Sequence, residues 1–349
     1  MGTMLAGRLT LDPRRFAVEE VPIPEPGPGE VLVAVKAAGV CLSDVHLIDG
    51  TLTPLYNRAA AVTLGHEISG VVHALGPDLL GDWSTGRRVT LQAGQVCGTC
   101  ANCARRRAPC LEVRTRGVDY DGGWAEYALA REDTVIPIPD DLPFDQAAII
   151  PDAVSTPYAA IVATGDVRPG QAVGIWGIGG LGAHAVRVAR LAGAAPIIAL
   201  DPLAGARERA LAFGADVALD PTDGRTARAV WAATGGRGLS AAFDFAGAGA
   251  VRDQAVSALG PGGKLVLVGL TREPITVRDG TAFSYYGREI RGHYGSGTEM
   301  TDEIVALASS GRLDLAPSIS DHYPLARAAD AVARLEDNTG DAVRLILVP

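Results

Sequence analysis

Apolar positions along the chain follow two different rhythms. Up to about residue 150, short apolar stretches are broken by frequent Gly and Pro. Within Glu30–Ala37, Val31, Val33 and Val35 alternate with other residues, the period of a strand. A stiff proline-rich turn, Pro22 to Gly29, leads into it. Ile68–Leu75 and Arg88–Gln92 read as further strands, so this region predicts a small, irregular, barrel-like β domain. From about 153 to 290 the pattern changes. Apolar runs at Val173–Trp176, Pro196–Leu200, Ala241–Ala246 and Lys264–Gly269 alternate with helical spacing, which predicts an α/β region with a doubly wound parallel sheet. The tail from about 291 carries helical patterns at Thr301–Ser310 and Leu325–Glu336 and a last strand at Val343–Val348. It is expected to return to the first domain.

The run Val173–Trp176 leads straight into Gly177-Ile178-Gly179-Gly180-Leu181-Gly182, a G-x-G-x-x-G. Helical spacing follows, with Leu181, Ala185, Val188 and Ala192 on one face and Gly193 as a stop. The first glycine permits a tight turn, the second lets backbone approach a pyrophosphate, and the third allows the helix to pack closely on the strand. The helix N-terminus then offers N–H groups and a positive dipole end to phosphates. Asp201 ends the next strand, 19 residues after Gly182, where a carboxylate would accept bonds from the adenosine ribose hydroxyls. It would also repel a 2′-phosphate, so the expectation is NAD over NADP.

Bulk properties narrow the classes. The chain has 349 residues, 48% of them hydrophobic and 20% charged, which suggests two globular domains with sizeable cores. A formal net charge of −9 argues against a nucleic-acid surface. No secretory leader is apparent and no uninterrupted apolar run approaches the roughly 18 residues of a membrane span, so no membrane partner and a cytoplasmic location are expected.

Four of the five cysteines, Cys97, Cys100, Cys103 and Cys110, fall within one short loop. In a reducing compartment such spacing reads as metal ligands instead of disulfides. Four thiolates close a tetrahedral zinc site completely, so the expected role is structural. Arg105, Arg106 and Arg107 lie in the same loop and could offset its charge, although a solvated face explains them equally well. A nucleic-acid-binding zinc ribbon is a rival for the motif alone, and the acidic balance opposes it. Cys41, His66 and Asp152 are spread over 111 positions, and spacing alone cannot show that they converge.

The stretches GVCLSDVH, LGHEISGVV, CGTCANC, DGGWAEY, STPYAA, VGIWGIGGLG, ALGPGGKLVLVG and GREIRGHYGSG together resemble the zinc-dependent medium-chain alcohol dehydrogenases over nearly the whole chain. The resemblance implies a catalytic domain of the GroES-like barrel type, residues 1–152 completed by 292–349, and a Rossmann domain over 153–291. It implies a catalytic zinc in the cleft between them, held by Cys41, His66 and Asp152, with Asp where much of the family has Cys. One thiolate, one imidazole and one carboxylate carry the same summed charge as two thiolates and an imidazole. Glu67 takes the position of a carboxylate that sometimes replaces water on the metal, and Asp44 that of a partner for His66. Two departures stand out: six residues separate Cys103 from Cys110 where seven are usual, and Arg87 stands where Asp is common.

What the resemblance implies about mechanism is oxidation of an alcohol, or reduction of a ketone or aldehyde, by hydride transfer involving C4 of the nicotinamide. Ser43 would take the alcohol proton and His46 would pass it to solvent. Thr156 would pack on the nicotinamide ring, Leu181 would lie near the cofactor, and the Val268-Gly269-Leu270 backbone would face the nicotinamide amide. Two zinc ions per chain, NAD and a homotetramer or homodimer complete the expectation. Substrate shape would depend on the loop 51–61 and on Trp83, Trp124 and Leu270, with secondary alcohols favoured. The alternative is a relative that reduces conjugated C=C bonds or does not use zinc as a Lewis acid. A non-catalytic nucleotide sensor would need lost catalytic residues. His184 reads as a helix-surface residue, His73 and His322 carry no motif, and His293 reads as structural.

Overall fold

The computed structural model describes residues 2–57, 59–105, 110–337 and 342–349. The chain divides into two compact units. The first holds Met1–Ser155, Ser296–Asn338 and Arg344–Pro349; the second holds Thr156–Gly295 and Thr339–Val343.

The first unit opens with a hairpin, β1 (Thr3–Leu11) and β2 (Arg14–Pro22), followed by β3 (Glu30–Val40), β4 (Ala61–Thr63), β5 (Ile68–Leu75) and β6 (Arg88–Leu91). A small pair, β7 (Gly94–Gln95) and β8 (Arg114–Thr115), precedes β9 (Tyr127–Arg131) and β10 (Val135–Pro137). β3 organises the unit. It pairs antiparallel with both β5 and β9, and its interior residues Val31, Leu32, Val33 and Val35 are all buried. The alternation of valines therefore understates its burial, because a central strand is covered on both faces. The opening hairpin escapes a reading by apolar period because β2 is half-exposed and charge-rich.

The second unit contains β11 (Val173–Trp176), β12 (Ile197–Leu200), β13 (Val217–Leu219), β14 (Leu239–Asp244), β15 (Leu259–Leu267) and β16 (Glu289–Gly292). They form one sheet in the order β13-β12-β11-β14-β15-β16, with every pair parallel. This is the doubly wound order, with the switch point between β11 and β14. Alternate residues feed opposite faces. Val173, Ile175, Ile197, Ala199 and Phe243 join one core cluster, and Trp176, Ile198, Leu200 and Ala242 join the other. Two expected strands shift: 241–246 becomes Leu239–Asp244, and 264–269 extends back to Leu259.

The chain then supplies β17 (Ile319–Pro324) and β18 (Arg344–Val348) to the first unit. β18 pairs antiparallel with β3, joining Leu345 to Val40 and Leu347 to Ala38. The segment Phe144–Thr164 is long and apolar enough by composition to cross a membrane, but 72% of its most apolar window is buried in protein.

Candidate active site and metal centres

The first cluster is assembled where three elements of the first unit end. β3 stops at Val40, and Cys41 begins the helix Leu42–Asp49. The fully buried Asp44 in its first turn accepts the Cys41 amide at 3.0 Å and the Gly65 amide at 3.3 Å. It thereby ties this helix to the link between β4 and β5, which carries His66. Asp44 Oδ1 also lies 3.5 Å from His66 Nδ1, orienting the ring from behind. Asp152 comes from a π-helical turn, Ile150–Val154, a distortion common at functional sites.

The three candidate ligand atoms meet. Asp152 Oδ2 is 3.4 Å from His66 Nε2 and 3.5 Å from Cys41 Sγ. Bond lengths of about 2.0–2.3 Å around a tetrahedral zinc require N–O and S–O edges of about 3.4 and 3.6 Å. The residues present therefore fit zinc, and Glu67, which Arg344 holds, offers a fourth ligand atom within 4.8 Å of theirs, at the position a substrate oxygen would need. The site also favours positive charge. Burial alone would lower the pKa of His66, but Asp44, Asp152 and Cys41 raise it well above 6.5.

Glu67 and Arg344 complete the surroundings. Both are buried, and Arg344 Nη2 lies 2.9 Å from Glu67 Oε1, 3.7 Å from Cys41 Sγ and 3.8 Å from Asp152 Oδ2. Burial pushes the Glu67 carboxyl up to about 8 against the pull of Arg344. Burial works against the arginine charge too, but Glu67, Cys41 and Asp152 together raise its pKa further above the ordinary value. Sequence reasoning misses Arg344. Its one visible signal is a charge inside the otherwise apolar stretch VRLILV.

Ser43 and His46 stand three residues apart on the helix that starts at Cys41, a spacing that puts them on one side. Ser43 Oγ is 3.3 Å from His66 Nε2, and His46 is half-buried. Trp124 is fully buried and donates to the Gly39 carbonyl at 3.0 Å, so it supports the cluster from the core. Trp83 donates to Glu132 at 3.2 Å, and the Arg87 guanidinium lies over the Trp83 ring.

The second cluster lies in the loop closed at its base by the β7–β8 pair. The sulfurs of Cys97 and Cys110 are 3.6 Å apart, and the Cys97–Cys103 and Cys100–Cys110 pairs are each 4.0 Å apart. Four thiolates about 2.3 Å from one tetrahedral zinc lie about 3.8 Å from each other. The fit holds despite the shortened spacing before Cys110. Backbone N–H groups point at the sulfurs: Cys100 N at Cys97 Sγ, Cys103 N and Leu111 N at Cys100 Sγ, and Glu112 N at Cys110 Sγ. Such bonds, from Thr99 and Cys100, lower the Cys97 thiol to about 6. Cys103 moves the other way, to about 12, because its neighbours Cys100 and Cys110 hold its proton. Arg106 and Arg107 lie outside the described residues.

In the second unit, the glycine loop has the geometry its sequence predicts. Gly177 has φ +82°, and a Cβ on Gly182 would sit 1.8 Å from the Gly177 carbonyl oxygen. A Cβ on Gly179 would meet nothing within 4 Å, so open space lies before the helix Gly180–Leu191. Leu181 is on its first turn. Asp201 stands directly after β12, where its carboxylate accepts Ile178 N at 2.8 Å and Leu203 N at 2.9 Å. Gly269 and Leu270 follow β15 and line a cavity of about 490 Å³ together with Arg252, Val268, Ile275 and His293. Thr156 is buried, and its carbonyl accepts from His293 Nε2 at 3.0 Å. His293 Nδ1 lies 2.8 Å from Thr164 Oγ1, and burial lowers its pKa. His184 corrects the expectation of a surface residue. It is fully buried, with Nδ1 2.7 Å from the Gly180 carbonyl one turn earlier in the helix.

Residues 27–140 match the family model described as alcohol dehydrogenase GroES-like domain, and residues 180–310 match that of zinc-binding dehydrogenase. The L-threonine 3-dehydrogenase of Thermococcus kodakarensis is 31% identical over 309 residues, covering 87% of this chain and 86% of that one. The chain belongs to the zinc-dependent medium-chain alcohol dehydrogenase family. It is an oxidoreductase by that membership, with a GroES-like domain and a Rossmann domain. Solved relatives bind either nicotinamide cofactor. A Sinorhizobium meliloti 1021 structure bound to NADP is 27% identical with a TM-score of 0.88, and an Escherichia coli CFT073 structure complexed with NADH is 25% identical with a TM-score of 0.89; each covers 100% of both chains.

Proposed function

We propose that this family member is an NAD-dependent zinc alcohol dehydrogenase or ketone reductase acting on small molecules, with secondary alcohols and ketones as the favoured substrates. The observation that carries the reading is the convergence of Cys41, His66 and Asp152 on edges that suit zinc, and with Glu67 held by Arg344 a substrate oxygen would take the remaining position. Zinc held there would supply Lewis acidity toward an alcohol or carbonyl oxygen, with NAD as hydride acceptor in oxidation and NADH as donor in reduction. Ser43 would accept the alcohol proton at Oγ while passing its own hydroxyl proton onward, and His46 would take up that proton and exchange it with solvent. Asp44 holds His66 from behind and Arg344 restrains Glu67, which keeps the donor set in place.

NAD over NADP rests on Asp201. Its carboxylate is fixed by two backbone amides at the strand end, and a fixed anion there disfavours a 2′-phosphate. Cys97, Cys100, Cys103 and Cys110 would hold a second, structural zinc. A cytoplasmic homotetramer or homodimer is the assembly we expect. The test is zinc content by elemental analysis combined with turnover on a panel of secondary alcohols with NAD and NADP. Two zinc ions per chain and a higher kcat/KM with NAD support the reading. One zinc after supply of excess metal, or turnover of enones alone, removes it in favour of a zinc-independent reductase.

A further inference from the structure

Beside the cavity of the second unit lies a buried ion pair that the mechanism above does not use. Asp244 ends β14 and is fully buried. Its Oδ1 accepts Ala246 N at 3.0 Å and Gly247 N at 2.8 Å, which shapes the loop after the strand. Its Oδ2 accepts Arg252 Nε at 2.9 Å. Arg252 is itself only 5% exposed, on the helix Gly249–Ala258. Its remaining donors reach across to the irregular stretch after β15: Nη2 bonds the Gly269 carbonyl at 3.1 Å and Nη1 the Glu273 carbonyl at 3.4 Å.

The same stretch is fastened a second time. Ala248 gives this helix no side-chain cap, and the Glu273 carboxylate instead accepts Gly249 N at 2.5 Å, at the positive end of the helix dipole. The two loops also touch backbone to backbone: a Cβ on Gly269 would lie 2.3 Å from Gly247 N. A planar guanidinium spanning one carboxylate and two carbonyls therefore sets where the 268–273 backbone runs along the cavity wall.

We propose that Arg252 is a positioning residue for the nicotinamide end of the cofactor, acting through the Gly269 and Glu273 carbonyls. The proposal rests on the reading that NAD is the cofactor and that Val268-Gly269-Leu270 faces its nicotinamide amide. A wall displaced by even a fraction of an ångström loosens that end and misplaces the reacting carbon, while the adenosine and phosphates keep their own contacts.

The test compares NADH with ADP, which carries the adenosine and pyrophosphate and lacks the nicotinamide riboside. Affinities of the zinc-loaded protein are measured by fluorescence titration, and kcat and KM for NAD by steady-state kinetics. Arg252→Met is expected to weaken NADH by about tenfold or more, the scale of lost charge-assisted hydrogen bonds, while the Kd for ADP stays unchanged. Arg252→Lys keeps the charge opposite Asp244 without the span and should fall between. Should Arg252→Met fail to fold, the exposed Glu273→Gln loosens the same stretch and should weaken NADH alone, by a smaller factor. Equal weakening of NADH and ADP, or no change in either, overturns the proposal. Wild-type protein that binds ADP but gains nothing from the nicotinamide removes the underlying cofactor reading, and this inference with it.

Discussion

The two metal-ligand clusters lie in the same unit, yet opposite means build them. The cysteine loop takes four identical donors from one short stretch, leaves them part-exposed, and steadies the sulfurs with neighbouring amides. The Cys41 cluster takes three different donors from three elements, buries two of them, sets Glu67 within reach as a fourth, and surrounds them with Asp44 and Arg344. A local loop can gather ligands with little help from the fold. A cluster drawn from distant elements exists only when the whole unit is folded, and the fold can then leave a coordination position open. That difference matches the roles proposed for them, structural at the cysteine loop and catalytic at the Cys41 cluster.

The sharpest way to break the contrast is Asp152→Ala. Losing one of three donors at the open site should lower kcat by about 10³-fold or more and reduce zinc from two to one per chain, with the cysteine loop still loaded. Retention of both ions and of activity would remove Asp152 from the ligand set. Next in size is Arg344→Met. It leaves the buried Glu67 and the half-buried Asp152 without their cation, and the expected loss is about 3 kcal/mol of stability, read as a lowered denaturation midpoint. Glu67→Gln in the same background should restore part of it. An Arg344→Met variant as stable as wild type would show that the pair is not a support.

The cysteine loop should give the reverse profile. Cys100→Ser should release one zinc and lower Tm by about 5 °C or more, with kcat per folded molecule changing by less than about tenfold. A collapse of kcat to the level of the Asp152 variant would erase the distinction between the sites. The smallest effect concerns acid. His293 has a lowered pKa in the folded chain, so below about 6.5 the unfolded chain binds a proton that the folded one refuses. Stability should therefore fall as pH drops from 6.5 toward that lower value. In His293→Asn, the fall in Tm between pH 7.5 and 5.5 should be smaller than in wild type.

How legible each part is in the sequence follows the same local-against-distant division. The cysteine loop, the glycine turn and the four apolar runs of the parallel sheet announce themselves within windows of a few residues. Strand ends are less visible, because an apolar run does not record where pairing stops, as with the early start of β15 at Leu259. Cys41, His66 and Asp152 can be joined only through the family resemblance. Arg344 shows only as a charge inside VRLILV, because its partners Glu67 and Asp152 lie far back in the chain. His184 misleads for a related reason: helical spacing marks faces, but not that the preceding turn's carbonyl can take a bond from a buried imidazole. Arg252 likewise reads as one more helix charge until Asp244 is seen beside it.

Gly39 imposes a constraint of a historical kind. A methyl group there would arrive 1.9 Å from Glu67 Oε2, while the Gly39 carbonyl receives Trp124 Nε1 at 3.0 Å. Next to His66, a Cβ on Gly65 would strike that same tryptophan at 2.2 Å. The two glycines, the glutamate and the tryptophan are thus interlocked, and no one of them can enlarge unless another first gives way. A lineage drifting by single substitutions would find these positions nearly immovable, while exposed side chains of the cavity wall such as Leu270 and Ile275 could change around them.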